Sequence, residues 1–397
     1  MIRLPLALLA GVTQASETGA PERIAQETVA QDAGLAPERV AELESALERL
    51  AEERQIPGMS AALVHRRSLA WSKGFGLADL EREVWAEPAT RYRIASVSKP
   101  LAAVLLLQLV EQGKLSLDAP LKDFQIHRWF GPDPARYAEQ PVLVRHVLTH
   151  TSAGVPGDAY AYDGNVFVDL TWVLEDVTRI AYPRLLQSRI FDAAGMDRSV
   201  PGHARAGTSE LVEMARAYKP EGEEFVPVPY QMLDPDPALD LSGFDPVFRF
   251  PEIGAAARRE LLGENFMHLN GVSTSDGVVT TVLDLAKFDI ALDEGRLISA
   301  ETRERMFTPA VSNAGATLPY ALGWFVEEIA GREVAWHYGW YPPSVSALYV
   351  KVPSAELSFV LLANNDRLSS DISWTADGVR ASPFARAFLE AFELAGG

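Results

Sequence analysis

Ser96 and Lys99 stand three residues apart in the segment Arg93-Ile94-Ala95-Ser96-Val97-Ser98-Lys99-Pro100. On a helix that spacing puts both side chains on one face, with β-carbons about 5–6 Å apart. A serine hydroxyl is a poor nucleophile until a neighbour takes its proton. A lysine can take it only if its ammonium is destabilised by burial or by a nearby cation. The run that follows, Leu101 to Val110, is apolar on every side, as in a helix enclosed by protein. The pair therefore sits at the head of an element that supplies burial, and a helix amino terminus favours developing negative charge. No other lysine has a serine three residues before it. Taken alone, so short a motif also fits a helix-capping serine beside a surface lysine.

The rest of the composition narrows the chemistry. There is no cysteine, so disulfides, thiolate metal sites and a cysteine nucleophile are excluded. His146 and His150 have i, i+4 spacing, but no HExxH occurs and no nearby carboxylate completes a metal set. The spacing reads as two structural histidines around a helix end, and neither a metal nor an organic cofactor is expected. No GxSxG is present, which removes the nucleophile elbow of an α/β-hydrolase. With 36 basic and 54 acidic residues the formal charge is -18, which argues against a nucleic-acid or anionic-membrane surface. No stretch is long and apolar enough for a transmembrane helix. Arg3, the apolar run Leu4 to Val12 and Thr13-Gln14-Ala15 resemble a short secretory signal. That implies a periplasmic or secreted protein, or a cytoplasmic one if residues 1–15 are not a signal.

The elements that must position the pair follow from periodicity. Residues 16–35 are polar and read as a linker. Pro37 opens a helix whose Val40, Leu43, Leu47 and Leu50 share one face. Met59 to His65 and Leu69 to Phe75, joined by Arg66 and Arg67, predict a β-hairpin. Gly113 closes the apolar helix. Helical patterns appear at 141–150, 166–195 and 208–217. The proline-rich stretch 220–252 is read as excluding regular structure and as a loop that could fold over a cleft. Leu283 to Leu292 predicts a helix, as does the stretch after Ser299. Strand-like runs follow at 321–326, 334–337, 345–350 and 357–362, with a last helix at 382–394. Strands at both ends of the chain and helices between predict an α+β fold. Residues 36–114 and 266–397 would build one antiparallel sheet flanked by helices. Residues 115–265 would form an all-helical domain inserted into it.

Several segments in this order resemble the serine β-lactamase and penicillin-binding-protein family, in particular class C enzymes, low-molecular-weight penicillin-binding proteins and related carboxylesterases. They are Arg93 to Lys99 with Gln112-Gly113-Lys114-Leu115-Ser116-Leu117-Asp118, and Val144-Arg145-His146-Val147-Leu148-Thr149-His150-Thr151-Ser152-Ala153-Gly154. Phe191-Asp192-Ala193-Ala194-Gly195-Met196, Asp276 to Phe288, Gly323-Trp324-Phe325 and Trp336-His337-Tyr338-Gly339 complete the set. The resemblance spans about residues 38–395 and implies a β-lactamase or DD-peptidase-like fold with Ser96 as nucleophile and Lys99 as proton acceptor. The family's Tyr-x-Asn falls on Tyr162-Asp163-Gly164-Asn165, which gives Tyr162 the shared proton transfer. The third place of the motif is Gly164, Asn165 lies one further on, and Tyr160 is a rival in a shifted register. The family's Lys-Thr-Gly reads His337-Tyr338-Gly339, a variation that resembles peptidases and amidases of the family. His337, Gly339, Trp340 and Asn165 are then the implied substrate-binding positions, and the N–H groups of Ser96 and Trp340 the implied oxyanion hole.

The resemblance implies a serine hydrolase of small esters, amides or D-amino-acid peptides, with weak or absent β-lactamase activity, on a small-molecule or peptide substrate. The alternative is a penicillin-binding or regulatory module of the same fold with little turnover. The oligomeric state is left open.

Overall fold

The computed structural model describes residues 34–126, 141–202, 214–222, 224–228, 272–372 and 378–395. Residues 1–15, nearly all of the 16–35 linker, most of the 208–217 helical pattern and residues 229–252 of the proline-rich stretch lie outside these.

Seven strands form one antiparallel sheet in the order β3-β2-β1-β11-β10-β9-β8. They are β1 (Gly58–His65), β2 (Ser68–Asp79), β3 (Val84–Trp85), β8 (Phe325–Ile329), β9 (Arg332–Tyr341), β10 (Val345–Val352) and β11 (Leu357–Ala363). The N-terminal hairpin thus joins the C-terminal strands edge to edge through β1 and β11, with Met59 opposite Ala363 and His65 opposite Leu357. The fold is the α+β, antiparallel-sheet architecture expected from the sequence.

Strand periodicity sorts the side chains. Leu357, Phe359, Leu361 and Ala363 of β11, with Leu348, Val350 and Val352 of β10, pack beneath α1 (Pro37–Glu53) and the C-terminal helix Pro383–Ala391. Val360 and Leu362, with Ala347 and Tyr349, face the opposite layer. That layer is built on α2 (Ser98–Glu111) and the helix Val282–Asp293. Successive residues of a strand point to opposite faces, so β10 and β11, buried on both, are apolar almost throughout. Besides the buried Ser346 and Ser358, the two strands hold one charged residue, Lys351. It lies among Asp289, at 2.9 Å, and Asp293, at 2.7 Å, and ties β10 to the helix Val282–Asp293.

α2 is the centre of that second layer. Leu101 to Leu107 and Leu109 are all buried, as a helix apolar all round requires. Shorter helices surround it: α3 (Val144–Leu148), α4 (Gly164–Phe167), α5 (Asp169–Thr178) and α6 (Tyr182–Leu186). Where the sequence reads as one helical pattern over 166–195, the chain makes several short pieces. α5 ends with Arg179 in a left-handed conformation at φ 57°, and Pro183 opens the next turn.

One expectation is corrected. The beginning of the proline-rich stretch does form regular structure: β5 (Tyr218–Glu221) pairs with β6 (Glu224–Pro227), Pro220 opposite Phe225 and Tyr218 opposite Pro227. A two-stranded ribbon is all edge, so ring nitrogens that cannot donate a ladder hydrogen bond are tolerated in it. Among the described residues no helix is long and apolar enough to cross a membrane.

β8 pairs with β9 between Arg332 and Trp336. Beyond that point the turn Ala95–Val97, which leads into α2, packs against β9. The approach is close enough to specify a residue. A β-carbon on Gly339 would lie 2.1 Å from the Ile94 carbonyl oxygen, a distance no side chain tolerates. Gly339→Ala must push β9 and residues 94–96 apart. It is expected to cost about 1–3 kcal/mol, the usual range for overpacking, read as a lower urea midpoint. A midpoint equal to that of the wild type would refute this contact.

Candidate active site

The turn Ala95–Val97 is held from both sides. The Ile94 N–H donates to the Val278 carbonyl at 3.2 Å, and Val97 N–H donates back to the Ile94 carbonyl at 3.1 Å. β4 (Tyr92–Arg93) pairs just before it with β7 (Val279–Thr280). Between these ties Ala95 has φ 42°, in the left-handed region that a residue with a β-carbon avoids. Such conformations cost on the order of 1–3 kcal/mol and persist where the surroundings over-determine them. Here they leave Ser96 half-exposed at the head of α2 while Val97, Ser98 and Lys99 are buried.

Lys99 is fully buried. Its Nζ donates to Ser96 Oγ at 2.8 Å, to the Ser275 carbonyl at 3.1 Å and to Ser275 Oγ at 2.9 Å. It also lies 5.0 Å from the centroid of the Tyr162 ring and 5.4 Å from that of Phe167. Burial drives the amine down to about 7, against the opposing pull of the Asp276 and Asp163 carboxylates. An ordinary lysine titrates near 10.4, so this one is partly neutral at physiological pH and can accept a proton.

Tyr162 stands across the same space. Burial pushes its phenol well above the ordinary value, and an interaction with Ser96 acts in the opposite direction. The group is a neutral hydroxyl, able to pass a proton on but not to serve as a phenolate. Its ring is clamped between His150, stacked at 4.2 Å, and Phe325, parallel at 5.9 Å. Tyr160, the rival, stacks instead on Tyr320 at 6.0 Å and makes an edge contact with Phe325 at 6.2 Å. Of the two tyrosines, Tyr162 is the one against Lys99.

The two histidines of the site are neutral with fixed tautomers. His150 Nδ1 accepts the Asp163 N–H at 3.1 Å. His337 Nδ1 donates to the Tyr338 carbonyl at 2.8 Å, which leaves Nε2 to accept from the Tyr320 hydroxyl at 2.9 Å. Burial first, then the charge of Lys99, holds both imidazoles well below their usual range. His337 is fully buried with both nitrogens used inside the protein. It backs the Tyr162 ring at 6.4 Å and does not present a free nitrogen to the cleft. Asn165 is exposed at the start of α4, where its N–H and that of Val166 donate to Asp163 Oδ1. The position brought to the lysine is Gly164, whose absent β-carbon would lie 3.8 Å from Lys99 Nζ. Gly339 and Trp340 stand at the end of β9, beside the nucleophile turn.

Two contributors escape motif reading: Ser275 gives Lys99 two of its acceptors, and Tyr320 fixes the tautomer of His337. Asp163 and Asp276, which raise the proton affinity of Lys99, lie in segments that carry the resemblance, which implies no role for either. Among the described residues no group of His, Asp and Glu is arranged to hold a metal ion.

The arrangement, a half-exposed hydroxyl bonded to a buried, partly neutral amine with a neutral phenol beside it, is that of a serine nucleophile with a lysine base. The family model named Beta-lactamase matches residues 43–377, and the chain belongs to that family. Its members are serine hydrolases that include esterases, amidases and β-lactamases. Among relatives, the chain is 25% identical over 292 residues to "Putative penicillin-binding protein PbpX" of Bacillus subtilis, over 67% of this chain and 61% of that one. It is 36% identical over 115 residues to "Esterase EstB" of Burkholderia gladioli, 28% of each chain. The solved D-amino acid amidase of Ochrobactrum anthropi SV3 shares the fold, with a TM-score of 0.62 at 20% identity, covering 89% of this chain and 98% of the other.

The Lys99 titration can be read directly. In a protein carrying 13C-labelled lysine, the Lys99 Cε resonance is expected to titrate near pH 7, well below the ordinary lysine value of about 10.4. Because Asp163 holds the ammonium form up, Asp163→Asn should move that midpoint lower. A midpoint above pH 9, or a shift upward in the variant, contradicts this electrostatic account.

Proposed function

We propose that the chain is a hydrolase that forms an acyl-enzyme on Ser96 and acts on small esters, amides or D-amino-acid peptides, with esters preferred over β-lactams. The observation that carries this reading is the 2.8 Å contact between Ser96 Oγ and a buried lysine amine whose proton affinity is brought down to about pH 7.

The steps follow from the geometry. Neutral Lys99 removes the Ser96 proton as Oγ attacks the substrate carbonyl carbon. The carbonyl oxygen takes the negative charge, which the N–H groups of Ser96 and Trp340 are proposed to receive. The tetrahedral intermediate collapses and expels the alcohol or amine, which receives the proton through Tyr162. Water then attacks the acyl-enzyme with the lysine–tyrosine pair again taking its proton, and Ser96 is released. Lys99 titrates near 7 while the Tyr162 phenol stays protonated, so the rate should rise with pH through a single apparent value near 7.

The preference for esters rests on two substitutions in the family's pattern. Where a lysine ammonium would attract a substrate carboxylate, the chain has a buried, neutral His337. Where an asparagine amide would meet a substrate amide, it has Gly164, with no side chain at all. The same substitutions suit a slowly acylated binding module, which turnover distinguishes. The export suggested by residues 1–15 remains part of this proposal.

Ser96→Ala is expected to lower kcat/KM for p-nitrophenyl acetate or butyrate at least about a thousandfold, on the order of 4 kcal/mol of transition-state stabilisation. It should also abolish labelling by a serine-reactive phosphonate. Wild-type kcat/KM for these esters should exceed that for a chromogenic cephalosporin. The reverse order, or labelling that persists at Ser98 or Ser152 in the variant, would overturn the assignment.

A further inference from the structure

Gly164 and Ser275 meet across the lysine. A β-carbon on Gly164 would lie 3.3 Å from Ser275 Oγ, the oxygen that accepts from Lys99 Nζ at 2.9 Å. The volume a side chain at 164 would enter is therefore filled from the other side by the Ser275 hydroxyl. We propose that Ser275 is the positioning residue of the base: with its hydroxyl and its own carbonyl it orients the Lys99 amine, in the place that Gly164 leaves without a side chain. This deepens the Ser96 hydrolase reading and rests on it.

The argument is one of donor count. An ammonium has three N–H donors, and Lys99 has three acceptors within hydrogen-bond distance: Ser96 Oγ, the Ser275 carbonyl and Ser275 Oγ. A neutral amine has two N–H donors and one lone pair. When the two donors are held by the two Ser275 oxygens, the lone pair is left facing Ser96, the group whose proton it must take. Without Ser275 Oγ the amine can turn about its Cε–Nζ bond, and the lone pair faces Ser96 for only part of the time.

The segment that carries Ser275 is fixed as a positioning element must be. The Ser273 N–H donates to the Asp276 carbonyl at 2.8 Å, and Ser273 Oγ donates to Asp276 Oδ1 at 2.9 Å. The Ser275 N–H donates to Ser273 Oγ at 3.2 Å. Next to it Thr274 Oγ1 donates to the Phe167 carbonyl at 2.6 Å, and the Thr274 N–H donates to Thr171 Oγ1 at 2.9 Å, which docks the segment on α4 and α5. The titratable groups facing the amine from the packed elements are Asp276 on this segment, Asp163 and Tyr162 before α4, His150 after α3 and His337 on β9. None of them is altered by a change at 275.

Ser275→Ala is the test, with kcat, KM and the pH dependence of kcat/KM measured on a p-nitrophenyl ester. Loss of orientation should lower kcat about tenfold and leave KM within about twofold, since Ser275 touches the base rather than the substrate. One N–H of the buried ammonium would also lose its acceptor, which disfavours the charged form. The limb on which activity rises should therefore move to lower pH, a change that simple loosening of the fold would not produce. Ser275→Thr keeps the hydroxyl and is expected to keep the limb at the wild-type position, which covers the case in which the alanine variant folds poorly. In the Ser275→Ala background Gly164→Asn restores an acceptor from the opposite side and should recover part of kcat. Wild-type kcat and an unmoved limb in Ser275→Ala would overturn the proposal. So would a threonine variant whose limb moves as far as that of alanine. An inactive, unlabelled wild type would instead remove the hydrolase reading itself, and this proposal with it.

Discussion

The rest of the site depends on one constraint: an amine enclosed in an apolar layer. Lys99 leaves the first turn of a helix whose every face is buried, so its charge has no route to water. An ammonium in such surroundings is disfavoured by several kcal/mol unless it is paired and hydrogen-bonded. The molecule supplies part of that compensation and withholds the rest. Three oxygens accept from Nζ, and two carboxylates, Asp276 and Asp163, act on it by charge. No carboxylate oxygen is among the three hydrogen-bond acceptors. A direct ion pair would have held the group protonated, as it does for Lys351, whose ammonium touches Asp289 and Asp293 and is raised despite nearly complete burial. Two buried lysines in one chain thus have opposite fates, and the difference is whether the acceptors carry charge.

The placement of Ser96 follows a related economy. Its hydroxyl stands against the buried Lys99 amine, yet the residue is partly exposed. The chain solves this with a left-handed Ala95 one residue before it, clasped between β4 and its partner strand on one side and Gly339 on the other. The local strain is small beside the contacts that enforce it. It also cannot relax without displacing β9, the strand that carries Trp340. The turn that carries Ser96 and the strand that carries Trp340 are therefore joined by one packing contact, Gly339 against the Ile94 carbonyl.

Much of this was legible before any coordinates, because burial leaves its mark on the sequence. The wholly apolar α2 and the nearly continuous apolar runs of β10 and β11 mark elements enclosed on all sides, and the hairpin at 59–75 and the helix after Thr281 likewise form where their apolar runs predict them. Where the sequence misleads, a specific competing effect is at work. The helical pattern over 166–195 is apolar enough for one helix, but Pro183 and the left-handed Arg179 divide it. Pro220 and Pro227 look like breakers, yet a two-stranded ribbon accepts them at its edges. At the site, Ser96, Lys99 and Tyr162 lie in short motifs, whereas Ser275 does not. It acts on Lys99 from 176 residues away and half through its own carbonyl, an atom every residue has. Its one sequence signal is indirect: the missing side chain at Gly164 leaves a lysine donor that something else must satisfy.

The two histidines of the site, His150 and His337, complete the electrostatic argument. A cation at position 337 would lie close enough to Lys99 to lower its proton affinity further, since the charge of Lys99 is already felt at His337. A neutral imidazole bonded at both nitrogens removes that influence and leaves burial as the main lever, balanced by two carboxylates. The identity of residue 337 therefore bears on the proton affinity of Lys99, and under the proposed hydrolase reading also on the charge of substrate the cleft would suit. At 337 the polar side chain is neutral and turned to its own partners, and at 164 there is none, so the hydrogen bonds to Lys99 Nζ are the ones Ser275 and Ser96 provide.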